Sequence, residues 1–497
     1  MVFKDWLEDI RCQVLQGSLE TEVSEVVYDS RRACEGAVFV AMAGSRVDSH
    51  EFCSQVYTAG VRVFVTERPV SLPEDATVVL VENGREALAH LSAARFGFPA
   101  RKMITIGVTG TKGKTTTTHM IKAALTSCGK KVGMIGTNGV SFPGTFETTR
   151  NTTPESYQLH WYFSQMLEAG CEYMVMEVSS QAVKMHRTDG ILFDYGIFTN
   201  ITPDHIGPDE HENFEEYFRC KSAIFKQSRT GIANLDDKFV AKAAENALCP
   251  VYGYSLTGGA DFCAEDIGYL AEKDFVGLEF SMKGRLSGNI RVGIPGRFNV
   301  ENAVAALSVC SLAGLPQDKL CTALEKIHVD GRMEIAYASE DIRVIIDYAH
   351  NAVSMESLLT TLRDYHPARL VVVFGCGGNR AKERRYAMGE MAGKLADLSI
   401  LTADNSRYER VEDILEDIKS ALIPTGGKYL EIPDRKEAIV YAVTHAQKGD
   451  MIAVIGKGHE DYQEVNGVRT HFLDREVVDE AVKQARTGVA AGNGKGK

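Results

Sequence analysis

Short apolar runs alternate with helical stretches along the whole chain, and they fall into three segments. In the first, "EVVYDSRR", "GAVFVAMAG", "VRVFVTE" and "ATVVLVEN" are β-type runs, and "GREALAHLSAARFG" is helical. "FGFPARK" then predicts a linker. The second segment opens on "MITIGVTG", an apolar run that ends in glycine. "KTTTTHMIKAALTSCG" follows as a helix closed at Gly129. "KKVGMIGTNG", "CEYMVMEVSS" and "FDYGIFTNIT" are three more apolar runs, each ending in polar residues. Strands buried on both faces of a parallel sheet read this way. "GLEFSMKG" and "GNIRVGIPG" alternate instead and predict an antiparallel addition, while "NVENAVAALSVCSLAG" predicts a helix.

The third segment repeats strand then helix: "IRVIIDYAH", "SMESLLTTLRDYH", "ARLVVVFGCGG", "RRYAMGEMAGKLA", "LSILTADNS", "VEDILEDIKSAL", "KEAIVYAVTHA" and "DMIAVIGKGH". That is a doubly wound α/β pattern. The expected fold class is α/β, in three domains spanning 1–98, 99–331 and 332–497. A length of 497 residues, too great for one core, agrees with that division. The net charge of −12 argues against nucleic acid as a main partner, because a phosphate-backbone binder needs a basic face. No apolar run approaches the ~20 residues that cross a bilayer, so no membrane association is expected. The opening "MVFKDWLEDIRCQVLQG" carries acids and lacks an apolar signal core, which predicts no secretion signal. The 11 cysteines are scattered without a CxxC pair and read as reduced thiols of a cytoplasmic protein.

The first candidate for chemistry is "GVTGTKGKTTTTHM", from Gly107 to Met120. The common phosphate loop is G-x-x-x-x-G-K-[ST]; here Gly113, Lys114 and Thr115 end it correctly, but Val108 stands where its first glycine belongs. A strand, a glycine turn and a helix start still converge backbone N–H groups and a helix dipole on one point. Lys114 adds charge for the β- and γ-phosphates, and Thr115 a hydroxyl for Mg²⁺. Glu177 in "MEVSSQ" ends a buried run, where a carboxylate can serve Mg²⁺. "TNITPDHIGPDEHENFEEYFRCKSAIF" holds Asp204, His205, Asp209 and His211, with Lys221 on the helix after it. By spacing alone this is either a metal site or a solvated acidic loop. The third segment supplies Arg332, Asp347, Tyr348, His350, Arg380, Arg385, Asp404, Asn405, Arg407, Lys457, His459 and Glu460, nearly all after apolar runs. Arginines there can grip a carboxylate in bidentate fashion.

The ordered set "GTKGKTTT", "MEVSS", "TNITPDH", "NVENAVAA", "GRMEI", "DYAH", "GCGGNR", "DNSR" and "GKGHEDYQ" resembles that of the Mur ligases, across nearly the whole chain. These ATP-dependent ligases build the peptidoglycan stem peptide, and G-T-x-G-K-T is their own form of the loop. The resemblance implies an N-terminal UDP-binding domain, a central P-loop ATPase and a C-terminal Rossmann-like domain that brings the amino acid. It implies ATP contacts at Gly110, Thr111, Lys112, Gly113, Lys114, Thr115, Thr116, Asn302, Arg332 and Asp347. It implies catalytic roles for Lys114, Glu177, His205 and Lys221, and a Mg²⁺ set of Thr115, Glu177, His205 and Lys221. Lys221 would carry an N6-carboxyl group, turning a cation that repels Mg²⁺ into an oxygen ligand. Ser30 and the stretch at His50 would meet the uridine part, and Asn151, Thr152, Thr153, Ser179 and Arg187 the muramoyl-dipeptide. Arg385, Asp404, Asn405, Ser406, Arg407, Gly456 and Glu460 would form the amino-acid pocket.

The motifs are nearest those of ligases that extend the D-glutamate of UDP-N-acetylmuramoyl-L-alanyl-D-glutamate with a diamino acid. The implied reaction passes through an acyl phosphate, in a cytoplasmic monomer. Several motifs depart from the family pattern. "DNSR" has Ser406 for the usual proline, "DYAHNA" replaces D-Y-A-H-T-P, "GGNRAKERR" replaces a more acidic stretch, and Met185 stands where glutamine is common. Arg407 and Glu460 match the far carboxylate and ammonium of meso-diaminopimelate, which makes it the favoured acceptor. L-lysine or another amino acid, a folylpolyglutamate-synthase-like ligase, and a non-catalytic nucleotide-dependent binding protein are the alternatives.

Overall fold

The Val- and Phe-rich runs of the first segment become a five-stranded sheet: β1 (Cys12–Gln16), β2 (Glu25–Val27), β3 (Ala37–Val40), β4 (Val63–Thr66) and β5 (Thr77–Val81). Their order is β1-β5-β4-β3-β2, with β2 to β5 parallel and β1 antiparallel at the edge. Every residue of β3 and β4 is buried, which explains the missing polar alternation in those runs. Helix α1 (Cys53–Thr58) packs Val56 into the core that holds Phe39 and Phe64. Helix α2 (Gly84–Arg95) packs Leu88 and Leu91 into the core of the alternate residues, Val38 and Val63. Asn83 starts α2 by accepting from the N–H groups of Arg85 and Glu86.

The computed structural model describes residues 1–492 except 45–46, 208–209 and 274, with side chains up to 486, so Asp209 lies outside the described residues. The chain forms two units, residues 1–263 with 304–320 and residues 264–303 with 321–497. The first unit also holds the sheet of the second segment. Its strands are β6 (Ile104–Thr109), β7 (Val132–Gly136), β8 (Gly139–Phe142), β9 (Thr145–Glu147), β10 (Tyr173–Glu177), β11 (Phe193–Phe198), β12 (Ser228–Asn234), β13 (Val251–Ser255) and the start of β14 (Phe262–Ala271). The order is β14-β13-β12-β11-β6-β10-β7-β8-β9, parallel except for β8 and β9. Helices α3 (Lys114–Ser127), α4 (Ser156–Glu168), α5 (Ser180–Lys184), α6 (Phe214–Lys226) and α7 (Lys238–Glu245) connect them. Because β6 lies between β10 and β11, a crevice opens at its carboxyl end, the usual ligand position in such sheets. Polar contacts tie the two sheets of this unit: Tyr157 Oη donates to Glu25 at 2.9 Å, and Asn83 meets His186 Nε2 at 3.0 Å.

The two alternating runs form the expected antiparallel pair, β15 (Val276–Gly284) and β16 (Gly288–Val292), and α8 (Phe298–Leu312) and α9 (Gln317–Glu325) follow in sequence. The third segment folds as a six-stranded sheet of β17 (Glu334–Ala338), β18 (Ile342–Asp347), β19 (Arg369–Phe374), β20 (Leu398–Leu401), β21 (Tyr429–Glu431) and β22 (Asp450–Ile455). Its order is β17-β18-β22-β19-β20-β21, parallel except for β17. Helices α10 (Ala352–Arg363), α11 (Glu383–Leu395), α12 (Val411–Leu422), α13 (Arg435–Thr444) and α14 (Asp474–Gly492) join the strands, with a hairpin of β23 (Tyr462–Val465) and β24 (Val468–His471) before the last. Parallel strands put their carboxyl ends on one edge. That brings together the "DYAH", "GCGG", "DNSR" and "GKGH" turns, which end β18, β19, β20 and β22.

Candidate active site

The turn after β6 needs its glycines. Gly110 sits at φ +151°, and a Cβ there would come within 1.9 Å of Thr199 Oγ1. Gly113, at φ +86°, turns the chain into α3, whose first residue is Lys114. The loop is braced by the end of β11. Asn200 accepts from the Lys112 N–H at 2.9 Å and donates back to the Lys112 carbonyl at 3.1 Å. Thr199 Oγ1 donates to the same carbonyl at 2.8 Å, and Thr111 Oγ1 meets Tyr217 Oη at 2.9 Å. Lys114 Nζ donates to the Gly110 carbonyl at 2.8 Å and the Thr111 carbonyl at 3.1 Å. A preformed loop with these N–H groups and an ammonium fits a polyphosphate.

Glu177 ends β10, one strand from the loop, and is 1% exposed. Thr115 Oγ1 donates to it at 3.0 Å, the Thr137 N–H at 2.8 Å and Thr137 Oγ1 at 3.1 Å. Gly136 leaves the room for it, since a Cβ there would stand 2.4 Å from Glu177 Oε1. Thr116 lies buried in the first turn of α3. The peptide-substrate candidates gather next to Glu177. Thr137 Oγ1 meets Thr152 Oγ1 at 3.2 Å, and Thr153 Oγ1 donates to the Glu177 carbonyl at 2.9 Å. The Ser179 N–H donates to Thr153 Oγ1 at 3.1 Å, and Arg187 holds the Thr153 carbonyl at 3.1 Å and Glu155 at 2.7 Å. Asn151 precedes them, half-buried.

Lys221, on α6, is 2% exposed, and its Nζ donates to the Gly110 carbonyl at 2.7 Å. Burial, then the neighbouring Lys114 charge, drive its pKa well below the usual lysine value, against the pull of Asp204. His205 is exposed at φ +54°, with Nδ1 2.9 Å from Glu210. It lines a cavity of about 210 Å³ with Ser179, Ser180, Gln181, Glu210 and His211. The expected metal set is thus brought together in part. Lys221 and Lys114 share the Gly110 carbonyl, and Thr115 holds Glu177. His205 approaches through the Tyr217 ring, 6.2 Å between centroids. Buried hard oxygens at Thr115 and Glu177 fit Mg²⁺ in donor type. Among the described residues the close His and carboxylate trios lie elsewhere, at Glu86, His186 and Asp189 and at His328, Asp330 and Glu334.

At the far end of the first sheet, Ser30 opens a short 3-10 turn and is half-buried. His50 is held on both ring nitrogens, by Asp48 at 2.6 Å and by the Glu67 N–H at 3.0 Å.

In the second unit, Asp347 accepts from the N–H groups of Met333 and Ala349, each at 2.8 Å, and burial raises its pKa against the pull of Arg332. The Arg332 guanidinium lies 5.3 Å from the Tyr348 ring centre. Asn302 is buried in α8 and donates to Asn299 at 2.9 Å. Asn405 donates to Glu460 at 2.8 Å, and a Cβ on Gly456 would come within 2.7 Å of Asp404. Arg407, at φ +52°, donates to the Gly378 carbonyl at 2.6 Å. Ser406 is buried, and its hydroxyl has no hydrogen-bond partner among the described residues. Arg385 stands apart from these: it is 1% exposed and engaged by both oxygens of Glu409, each at 2.8 Å, and by Asp417 at 2.8 Å. Sequence reasoning passed over Asn200 and Thr137, although each follows an apolar run as Glu177 ends one, Asn200 after β11 beside the loop strand and Thr137 after β7 beside β10.

Fold and loop define a P-loop α/β protein with a second, doubly wound sheet. Known proteins match nearly the whole of this chain. It matches the Mur ligase family catalytic domain over residues 22–96, the Mur ligase middle domain over 108–310 and the Mur ligase glutamate ligase domain over 331–458. It is 38% identical to UDP-N-acetylmuramoyl-L-alanyl-D-glutamate--2,6-diaminopimelate ligase 1 of Clostridium acetobutylicum, over 97% of this chain and 100% of that one. It is 37% identical to the ligase of the same name, without the number, from Caldanaerobacter subterraneus, over 97% and 99%. A solved structure of a UDP-N-acetylmuramoyl-L-alanyl-D-glutamate--2,6-diaminopimelate ligase superposes with a TM-score of 0.76 at 28% identity, covering 98% of this chain and 99% of that one. The chain belongs to the Mur ligase family, ATP-dependent enzymes that form C–N bonds between small-molecule substrates. Among the described residues no helix is long and apolar enough to cross a membrane.

Proposed function

We propose that this chain joins meso-diaminopimelate to the D-glutamate carboxyl of UDP-N-acetylmuramoyl-L-alanyl-D-glutamate, driven by ATP. The observation that carries the reading is its full-length likeness to relatives named for that reaction. In this reading residues 1–98 hold the uridine part, 99–331 the nucleotide and 332–497 the acceptor. The loop N–H groups and Lys114 hold the ATP phosphates. The γ-phosphoryl group moves to the glutamate carboxylate, the acceptor amine attacks the acyl phosphate, and phosphate leaves. The work is chiefly charge stabilisation by prepositioned groups, with no protein nucleophile.

Thr115, Glu177, His205 and Lys221 are the residues that would hold Mg²⁺, whose charge, when bound, offsets that of the phosphates. The lowered pKa of Lys221 supports carboxylation, because a neutral amine adds to CO₂ and releases one proton to give the carbamate. Thr152, Thr153, Ser179 and Arg187 hold the muramoyl-dipeptide beside Glu177. Asp404, Asn405, Arg407 and Glu460 receive the diamino acid. The reading carries with it a monomer acting in the cytoplasm, with no nucleic-acid or membrane partner.

The test is phosphate release from ATP and Mg²⁺ with the UDP-dipeptide and either meso-diaminopimelate or L-lysine. Strong preference for diaminopimelate is the expected result. Preference for lysine overturns the acceptor assignment. Turnover of ATP without any acceptor favours a nucleotide-dependent binding protein instead.

A further inference from the structure

Lys457 follows β22 in the "GKGHEDYQ" turn, and its side chain is 0% exposed. A buried ammonium is costly unless it is paired and hydrogen-bonded. Its Nζ donates to Glu460 Oε2 at 3.2 Å, to Asn405 Oδ1 at 3.3 Å and to the Tyr462 carbonyl, and lies 5.1 Å from the Tyr462 ring centre. Asn405 closes the triangle, donating to the same Glu460 oxygen at 2.8 Å and accepting the Glu464 N–H at 2.9 Å. Glu460 Oε2 is therefore held twice. Among the described residues Oε1 has only a long contact to Tyr348 Oη, 3.4 Å, and is the oxygen left to meet a ligand. One buried cation thus ties the turn after β20 to the turn after β22 and sets the rotation of Glu460.

It also sets the charge. The local carboxylates are Asp404, 8% exposed and backed by Gly456, and Glu460. The local cations are Lys457 and Arg407, whose N–H donates to the Glu464 carbonyl at 3.0 Å. Two further pairs close on themselves: Arg435 pairs with Asp474 at 2.7 Å and Arg469 with Glu464 at 3.1 Å. Two carboxylates face two cations, and Arg332 beside the Tyr348 ring and Asp347 next to it add one group of each sign, so the cluster is formally neutral. Without Lys457 it would carry one net negative charge. A neutral cluster suits an acceptor end that bears carboxylate and ammonium together. A net negative cluster suits a lone ammonium.

We propose that Lys457 is a positioning residue that orients Glu460 and neutralises the acceptor pocket, so that the pocket selects an amino acid whose far end carries both a carboxylate and an ammonium. The inference rests on the acceptor reading given under Proposed function. The test is kcat and KM for meso-diaminopimelate and for L-lysine in the wild type, Lys457→Met and Lys457→Arg, with KM for ATP measured alongside. In Lys457→Met the ratio of kcat/KM for diaminopimelate over lysine is expected to fall at least about tenfold, through the acceptor KM. Lys457→Arg keeps the charge and should hold the ratio within about threefold. Glu460→Gln adds positive charge and should penalise lysine more than diaminopimelate, which keeps the idea testable if Lys457→Met fails to fold. Both acceptors falling in proportion, or a ratio that ignores the sign of the change, would overturn it. A wild type that prefers diaminopimelate while the variants leave the ratio unmoved sinks this inference alone. A wild type that uses neither acceptor sinks the proposed function and this inference with it.

Discussion

At the scale of single residues, burial decides what a charged side chain is for. Lys114 and Lys221 both point Nζ at the Gly110 carbonyl, but Lys114 is half-buried while Lys221 is almost wholly buried, and that burial drives the Lys221 pKa well down. An amine held neutral is a nucleophile towards CO₂ at neutral pH, whereas an exposed lysine is protonated. Protein equilibrated with ¹³C-bicarbonate is therefore expected to show a carbamate carbon signal by NMR that Lys221→Ala lacks. A signal that survives the substitution would place the carbamate elsewhere. Arg385 and His50 teach the converse. Both belong to motifs that resemble ligand-binding ones, and both are held inside the protein, the terminal guanidinium nitrogens of Arg385 by Glu409 and Asp417 and the ring nitrogens of His50 by Asp48 and Glu67. Their residue types are legible in the chain; apart from Asp48, two residues from His50, their partners are not, because those come from other turns.

At the scale of elements, the strand–turn–helix rhythm was readable because the central parallel strands, such as β3, β10 and β22, are short and buried on both faces. The packing between elements was not. Helix α4 buries His160 completely, edge-on to Phe163 at 5.6 Å, with neither ring nitrogen hydrogen-bonded among the described residues. Burial lowers its pKa from 6.5 to about 3, with the His90 charge adding to the effect. The neutral ring is the stable form in the fold, so this contribution is complete above the unfolded pKa. It is lost as pH falls from 6.5 towards 3, by about 1.4 kcal/mol per pH unit. His160→Leu should flatten the acid limb of stability in that window by about one proton, as measured by denaturant unfolding at successive pH values. An unchanged slope would mean that the ring takes up its proton in the folded state without penalty.

At the scale of the whole molecule, the chain builds separate cores. One lies around β10, β11 and α6 in the first unit and one around β18, β19 and β22 in the second. Calorimetry is expected to resolve two transitions. Arg385→Met leaves Glu409 without its cation and should lower only the transition of residues 264–303 and 321–497, by about 3 kcal/mol. A single transition that shifts as a whole would show one cooperative body instead. The sequence by itself determined what is local along the chain. It marked the phosphate loop between a strand and a helix, the parallel strands as unbroken apolar runs, and the ordered motifs that resemble a ligase family. Only the tertiary structure decided which side chains meet. Asn200 latches the loop from 88 residues away, Lys221 reaches Gly110 across 111, and Lys457 joins Asn405 across 52. Propensity and periodicity act over a few residues, while burial and ion pairing arise only when parallel strands bring their ends to one edge.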